Sequence, residues 1–221
     1  MARKFFNNKI LALIPARQGS ERIENKNIIK IYNHPLIAYT INVAKESGLF
    51  DKIVVSTDSP KYSKISKKYG AEVPFLRSKK LASDKSMVMD TYFEIIKKLS
   101  IQPEHFVALL PTSPLRSVRD IDKSIILFTK TNPSSLVSIT EFVSPFYLSK
   151  IVKLNKKMKV FNIENKINSK NIYVRNGPAI LIAKTKNILK NDIYGKNILG
   201  FKMPFERSID INNKEDFELA L

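Results

Sequence analysis

Six residues within positions 11–27, LALIPARQGSERIENKN, have the types and spacing to do chemistry together: Arg17, Gly19, Ser20, Arg22, Lys26 and Asn27. Guanidinium and ammonium groups offset phosphate charge through charge-assisted hydrogen bonds, while Gly19 and Ser20 let the backbone come close and offer N–H donors. The apolar run ahead of them predicts a strand, so these cations stand on the loop it opens into, an arrangement suited to a nucleoside triphosphate. The spacing is not G-x-x-x-x-G-K-[ST], which excludes an ordinary Walker loop. A second candidate is PTSPLR at residues 111–116. Pro111 and Pro114 fix φ and stiffen that loop, which predicts that the hydroxyls of Thr112 and Ser113 face the same crevice. Near the end of the chain, Asp210 precedes Asn212, Asn213, Glu215 and Asp216. On the residues alone it is either a ligand or part of a helix entry, where an Asn caps and the acidic pair favours the helix dipole.

The elements that must position these residues follow from the rhythm of apolar runs and amphipathic stretches, which reads as repeated βαβ units. Strands are predicted at residues 10–14, 52–56, 72–75, 106–110 and 136–139, then at 179–182 and 199–203. Helices are predicted from Pro35 to Gly48, from an Ser59–Pro60 cap to Gly70, over 86–99, over 119–129 with Ser117 and Asp120 as cap, near 185–190, and from Lys214. Residues 141–176 break the rhythm and read as an extension. The fold class is therefore α/β, a doubly wound, mostly parallel sheet. A strand order 3-2-1-4 puts strands one and four side by side where the winding reverses, and ligands bind beyond the carboxyl ends of strands at such a point. Both the cationic loop and the proline loop leave from those ends.

Composition narrows the classes. The chain has 221 residues, 43% of them hydrophobic, and fits one soluble domain. It contains no Cys, which removes disulfides, thiolate metal sites and cysteine nucleophiles. The opening MARKFFNNKI lacks the apolar core and small-residue cleavage site of a signal peptide, so a cytoplasmic location is expected, with no membrane partner. The formal charge of +18 comes from 38 Lys plus Arg against 20 Asp plus Glu. These cations are spread from Lys4 to Lys214 with no recognition helix or RNP-type aromatic motif, so the expectation is a basic surface that concentrates anionic substrates, with no nucleic acid partner.

Taken in order, IPARQGSERIENKN, FDKIVVSTD (50–58), LASD (81–84), LLPTSPLR (109–116), RNGPAI (175–180) and SIDINNKEDF (208–217) resemble the motif blocks of the acylneuraminate (CMP-N-acetylneuraminate) cytidylyltransferases, the CMP-nonulosonic acid synthetases. The resemblance covers nearly the whole chain. It implies a Rossmann-like nucleotidyltransferase fold in one domain, 1–221, with residues 141–176 as an arm for dimerisation. The implied activity couples CTP to an acidic nine-carbon sugar, of the sialic, legionaminic or pseudaminic type, by in-line attack of the anomeric hydroxyl on the α-phosphate, with Mg2+ and release of pyrophosphate. The neighbouring possibilities are a CMP-ketodeoxyoctonate synthetase and a CTP-binding regulatory homologue without turnover. By the family's pattern Arg17, Lys26 and Asp210 are the catalytic set. Arg17, Ser20, Arg22 and Lys26 hold the triphosphate, Asn27 the ribose, and Arg77 and Ser83 the cytosine. Thr112, Ser113, Arg175 and Asn176 bind the sugar, and Asp210 ligates the metal.

Three positions depart from that pattern. Glu21 followed by Arg22 replaces the usual lysine after the loop serine, Leu110 replaces a common Gln, and Asn212 replaces a second metal-associated Asp. A neutral amide oxygen is a weaker Mg2+ ligand, so one metal held chiefly by Asp210 and phosphates is expected. The resemblance also implies that the arm packs on a second subunit through Phe142, Phe146, Tyr147, Leu148 and Phe161. Arg175, with Lys150, Lys166 or Lys170, is then expected to face the sugar carboxylate.

Overall fold

Strand β1 (Ile10–Pro15) is apolar throughout, the pattern of a strand covered on both faces. Its even residues Ile10, Ala12 and Ile14 pack in one core with Ile37, Ile41, Ile121, Ile125 and Phe128. Its odd residues Leu11 and Leu13 pack in a second core with Tyr92, Ile95, Ile96 and Ile188. The computed structural model describes residues 9–20, 22–83, 86–99, 103–141, 151–154, 160–162, 172–177 and 179–221.

After β1 come a small hairpin, β2 (Lys30–Ile31) and β3 (His34–Pro35), and helix α1 (Leu36–Ser47), closed by Gly48 at φ 64°. Strand β4 (Lys52–Ser56) leads to α2 (Pro60–Lys68), where the Ser59 hydroxyl caps Tyr62 N–H. Then follow α3 (Lys79–Ala82), α4 (Val88–Lys98), β5 (His105–Ala108), α5 (Val118–Thr131) and β6 (Ser135–Glu141). Strands β7 (Ile151–Leu154), β8 (Val160–Asn162) and β9 (Ile172–Arg175) precede β10 (Leu181–Lys184), α6 (Thr185–Leu189), β11 (Ile198–Lys202) and α7 (Lys214–Leu219). Helices α1 and α5 cover one face and α4 and α6 the other, as a doubly wound fold requires.

The nine-stranded sheet runs β4-β1-β5-β10-β6-β9-β7-β8, with β11 also on β6. Pairs β4/β1, β1/β5 and β6/β11 are parallel, and β10, set between β5 and β6, runs against both, so β4, β1, β5, β6 and β11 all point one way. The predicted neighbours, β1 and β5, are paired in register Leu13 to Ala108. Both therefore end at the same pole, and Leu109 N–H continues the ladder to the Leu13 carbonyl.

One expectation changes. Residues 72–75 form a single parallel bridge, Val54 to Glu72, and not a strand. Pro74 has no N–H to extend the ladder, so the edge ends there. The irregular segment does supply strands, β7, β8 and β9, paired antiparallel to one another and to β6. Phe142, Phe146, Tyr147, Leu148, Lys150, Lys166 and Lys170 lie outside the described residues, as does Glu21; Phe161 falls in β8.

Helix α5 begins with a reciprocal cap: Asp120 N–H donates to the Ser117 hydroxyl and Ser117 N–H to the Asp120 carboxylate. Arg207 grips the same carboxylate from a different segment, Nε to Oδ2 at 2.9 Å and Nη2 to Oδ1 at 3.0 Å. Burial pushes this carboxyl up, but the bonds from Arg207 and Ser117 outweigh it and hold it below the ordinary carboxylate value. A depressed carboxyl contributes stability that is complete above the unfolded value of about 3.9 and is lost as pH falls through the lower folded value. Arg207→Gln is expected to cost about 2 kcal/mol at pH 7. Urea titrations should show that difference shrinking below about pH 4; a pH-independent difference would assign the loss to packing instead.

Candidate functional site

At the pole where β1 and β5 end, a cleft of about 330 Å3 opens between their loops. Its floor and one wall come from Pro15, Arg17, Gly19, Ser20, Lys26 and Asn27. The facing wall is the proline corner, Leu110, Pro111 and Thr112, and the rim is Asp210 with Asn212. Arg77, Leu81, Ser83, Ser86, Val88 and Thr91 close the remaining side.

The cationic loop is held by bonds that the sequence did not announce. Gln18 N–H donates to Asp58 Oδ1 at 2.9 Å, and Asn27 Nδ2 donates to the Arg17 carbonyl at 2.9 Å. Asn25 takes the left-handed conformation, φ 52°, which turns the chain into the short 3-10 segment carrying Lys26. Gly19 meets no atom within 4 Å of where a Cβ would lie, so its open side is free for close approach of a ligand.

Lys26 spans the cleft, donating from Nζ to the Ile211 carbonyl at 2.9 Å. Ile211 N–H in turn donates to the Thr112 carbonyl at 2.8 Å. Cationic loop, C-terminal motif and proline corner are thus joined through one residue. Burial lowers the Lys26 ammonium from its ordinary value, Asp210 opposes that, and Arg22 and Arg17 add to it by repulsion. Arg77 is buried, its Nε on the Ser56 hydroxyl at 3.0 Å and Nη2 on the Ser56 carbonyl at 2.8 Å. Burial lowers this guanidinium too, and Asp58 is the main charge opposing it.

Asp210 accepts from Asn212 Nδ2 at 3.0 Å on Oδ2, while its Oδ1 is buried with no protein hydrogen bond. Asn213, not Asn212, caps α7 through Asp216, which frees the Asn212 amide oxygen for other partners. Asp210 and Asn212 therefore offer two hard oxygens beside the cleft. No group of three or more His, Cys, Asp or Glu side chains able to hold a metal occurs among the described residues.

Most predicted residues meet here, with corrections. Ser113 does not face the crevice: it is fully buried, with its hydroxyl packed toward Gly177 on the other side of the corner. The corner needs Ser113 N–H for a turn to the Leu110 carbonyl, and that turn directs the side chain inward. Arg22 is exposed and does not line the cleft; its charge reaches Lys26 through space. Arg175 and Asn176 line an adjoining cavity of about 70 Å3, whose walls also include Asp210 and Asn212. There Arg175 lies over the Tyr194 ring at 4.9 Å and donates to its hydroxyl, and Asn176 Nδ2 donates to Ser208. Sequence reasoning missed Asp58, Ser86 and Thr91. The usable signals were a carboxylate two residues past a strand, and polar residues at the entry of α4.

A family model described as cytidylyltransferase matches residues 11–219. The chain is 36% identical over 220 residues to the N-acylneuraminate cytidylyltransferase of Escherichia coli O18:K1:H7, covering 96% of this chain and 51% of that protein. It thus spans about half the length of that relative. It is 31% identical over 219 residues to the pseudaminic acid cytidylyltransferase of Campylobacter jejuni strain 81-176, and 35% over 221 to the CMP-N,N'-diacetyllegionaminic acid synthase of Legionella pneumophila. Those two alignments cover 96% of this chain and 94% of each relative. The fold superposes on CMP:2-keto-3-deoxy-manno-octonic acid synthetase complexed with CTP, TM-score 0.79 at 14% identity, covering 96% of both chains.

Because Lys26 holds its charge less strongly than a free lysine, binding of inorganic triphosphate should weaken as pH rises through the lowered folded value, below 10.5. Calorimetry across pH 7 to 10 is expected to show this slope in the wild type and a flatter one in Lys26→Met. Equal slopes would remove Lys26 from the anion site.

Proposed function

The chain belongs to the cytidylyltransferase family, and from that premise we propose that it couples CTP to a nonulosonic acid, releasing pyrophosphate. The observation that carries this reading is the link from Lys26 through Ile211 to Thr112, which draws the cationic loop and the proline corner onto one cleft. In the reaction the anomeric hydroxyl of the acid attacks the α-phosphorus in line; its oxygen forms the new P–O bond, its proton leaves to solvent or a base, and the bridging oxygen departs with pyrophosphate. Charge grows on the phosphate oxygens and needs fixed cations more than a protein nucleophile.

Arg17, Ser20 and Lys26 take the triphosphate in this reading, with Arg22 adding charge from outside, and Asn27 takes the ribose. Arg77, with two of its donors already fixed on Ser56, is held to present the rest of its edge to cytosine beside Ser83. A base fixed along its edge leaves unpaired groups when another base enters, which gives selectivity. Asp210 and the Asn212 amide fit Mg2+ completed by phosphate oxygens and water. When bound, the ion would neutralise and polarise the phosphates. Thr112, Arg175 and Asn176 take the acid in this reading, and Leu110 gives the cleft an apolar surface beside Thr112.

No helix among the described residues is long and apolar enough to cross a membrane; we read the enzyme as cytoplasmic. Strands β7, β8 and β9 extend the sheet beyond β6, a projecting unit suited to an arm over a second copy of the chain.

The test is pyrophosphate release from CTP against a panel of sialic, legionaminic, pseudaminic and ketodeoxyoctonic acids. Release with at least one nine-carbon acid is expected; preference for the eight-carbon acid would shift the substrate, and none with any would overturn the reading. Arg17→Ala is expected to lower turnover by about 10²-fold with the fold intact by circular dichroism. Asp210→Asn should raise the Mg2+ needed for half-saturation roughly 10- to 100-fold, and an unchanged titration would make Asp210 structural.

A further inference from the structure

Arg116 ends the proline motif, and no role in binding accounts for it. It is the largest of the fully buried side chains, 2% exposed, and among the described residues no carboxylate lies within ion-pair distance of it. Burial pulls its guanidinium down to about 9, with Asp120 opposing, so it remains a cation at neutral pH. A charge kept out of water without a paired anion is costly. Its partial compensation is two neutral acceptors: Nη1 donates to the Ala179 carbonyl at 2.5 Å and Nη2 to the Thr40 hydroxyl at 2.9 Å, while the buried Nε has no hydrogen-bond partner among the described residues.

Each acceptor leads to the cleft. Thr40, fully buried on α1, donates a hydrogen bond from its hydroxyl to the Leu110 carbonyl at 3.3 Å, fixing the start of the proline corner. Ala179 closes the turn after β9 by donating N–H to the Asn176 carbonyl at 2.7 Å, and Gly177 sits in that turn at φ 116°. The corner beyond Leu110 carries the Thr112 carbonyl that receives Ile211 N–H, and the Ile211 carbonyl receives Lys26. Accepting from a guanidinium polarises the Thr40 hydroxyl and strengthens its donation, since hydrogen bonds in a chain reinforce one another at low dielectric.

We infer that Arg116 is a positioning residue, acting through Thr40 and Ala179 to fix the proline corner and the 176–179 turn as one wall of the site. This rests on the proposed cytidylyl transfer only for its kinetic consequence. Lysine cannot replace it, because an ammonium lacks the planar fork that reaches a carbonyl and a hydroxyl at once.

The test compares Thr40→Val, Thr40→Ser, Arg116→Met and the Thr40→Val/Arg116→Met pair. By hydrogen exchange, Arg116→Met is expected to speed the Ser113, Ala179 and Ile211 amides about tenfold, the effect of losing one buried hydrogen bond, and Thr40→Val the Ser113 and Ile211 amides alone. Leu13 and Val107, in the central ladder, should not change. Thr40→Ser should match the wild type, and the pair should exceed neither single variant by much, because both break one relay. In the kinetic arm, turnover is expected to fall about tenfold or more while CTP half-saturation moves less than about twofold. An unmoved Ile211 amide in Thr40→Val, or equal acceleration throughout the sheet, would overturn the inference. Should Arg116→Met not fold, the Thr40 variants decide alone. The exchange readout needs no turnover, so an enzyme inactive with every acid would refute the proposed function while the amides still judge Arg116.

Discussion

One buried residue, Ile211, governs the geometry of the cleft. The Ile211 side chain is fully enclosed with Ile23, Ile31, Leu36 and Ala220, which anchors its backbone, and both of its backbone groups are spoken for across the site. In an extended segment neighbours of a buried residue point the other way. Asp210 and Asn212 flank Ile211 and line the cleft, so an apolar contact fixes where two polar groups stand. The small hairpin β2/β3 matters for the same reason: Ile31 helps form the pocket that Ile211 occupies.

Electrostatics makes the same site receptive. Arg17, Lys26 and Arg77 all line the cleft, Lys26 and Arg77 both lowered chiefly by burial. Asp58 and Asp210 offset this incompletely, and a polyanion would complete the balance. Donors already locked to Ser56 or Ile211 need little rearrangement when such a ligand arrives, which is what preorganisation means in energetic terms. A chain carrying +18 also draws anions from a distance at low ionic strength.

Local signals made much of this readable in advance. The caps at Ser59 and Ser117, the stop at Gly48 and strand 52–56 follow from side chains bonding their own neighbourhood, and each is found where the residues put it. The adjacency of β1 and β5 followed from winding rules, and with it the meeting of two loops. What could not be read depends on partners distant in sequence. That Ser113 packs against Gly177, 64 residues on, and that Lys26 reaches Ile211, across most of the chain, are both long-range facts. Strand 72–75 failed for a nearer reason, since Pro74 was visible and its lost donor was decisive at an edge.

Strand β10 has a consequence of its own. Running against β5, it pairs Leu181 with Ala108 and Lys184 with His105, so it starts at the pole where its parallel neighbours finish. The reversal delivers the turn ahead of β10, and β9 before it, to the mouth of the cleft without a crossover helix. Everything inserted between β6 and β10 is thereby tethered at the ligand end by both of its ends. Such an insertion can lengthen, shorten or change sequence while the parallel core folds as before, which gives descendants of this scaffold a place to vary the mouth of the cleft without rebuilding the parallel half.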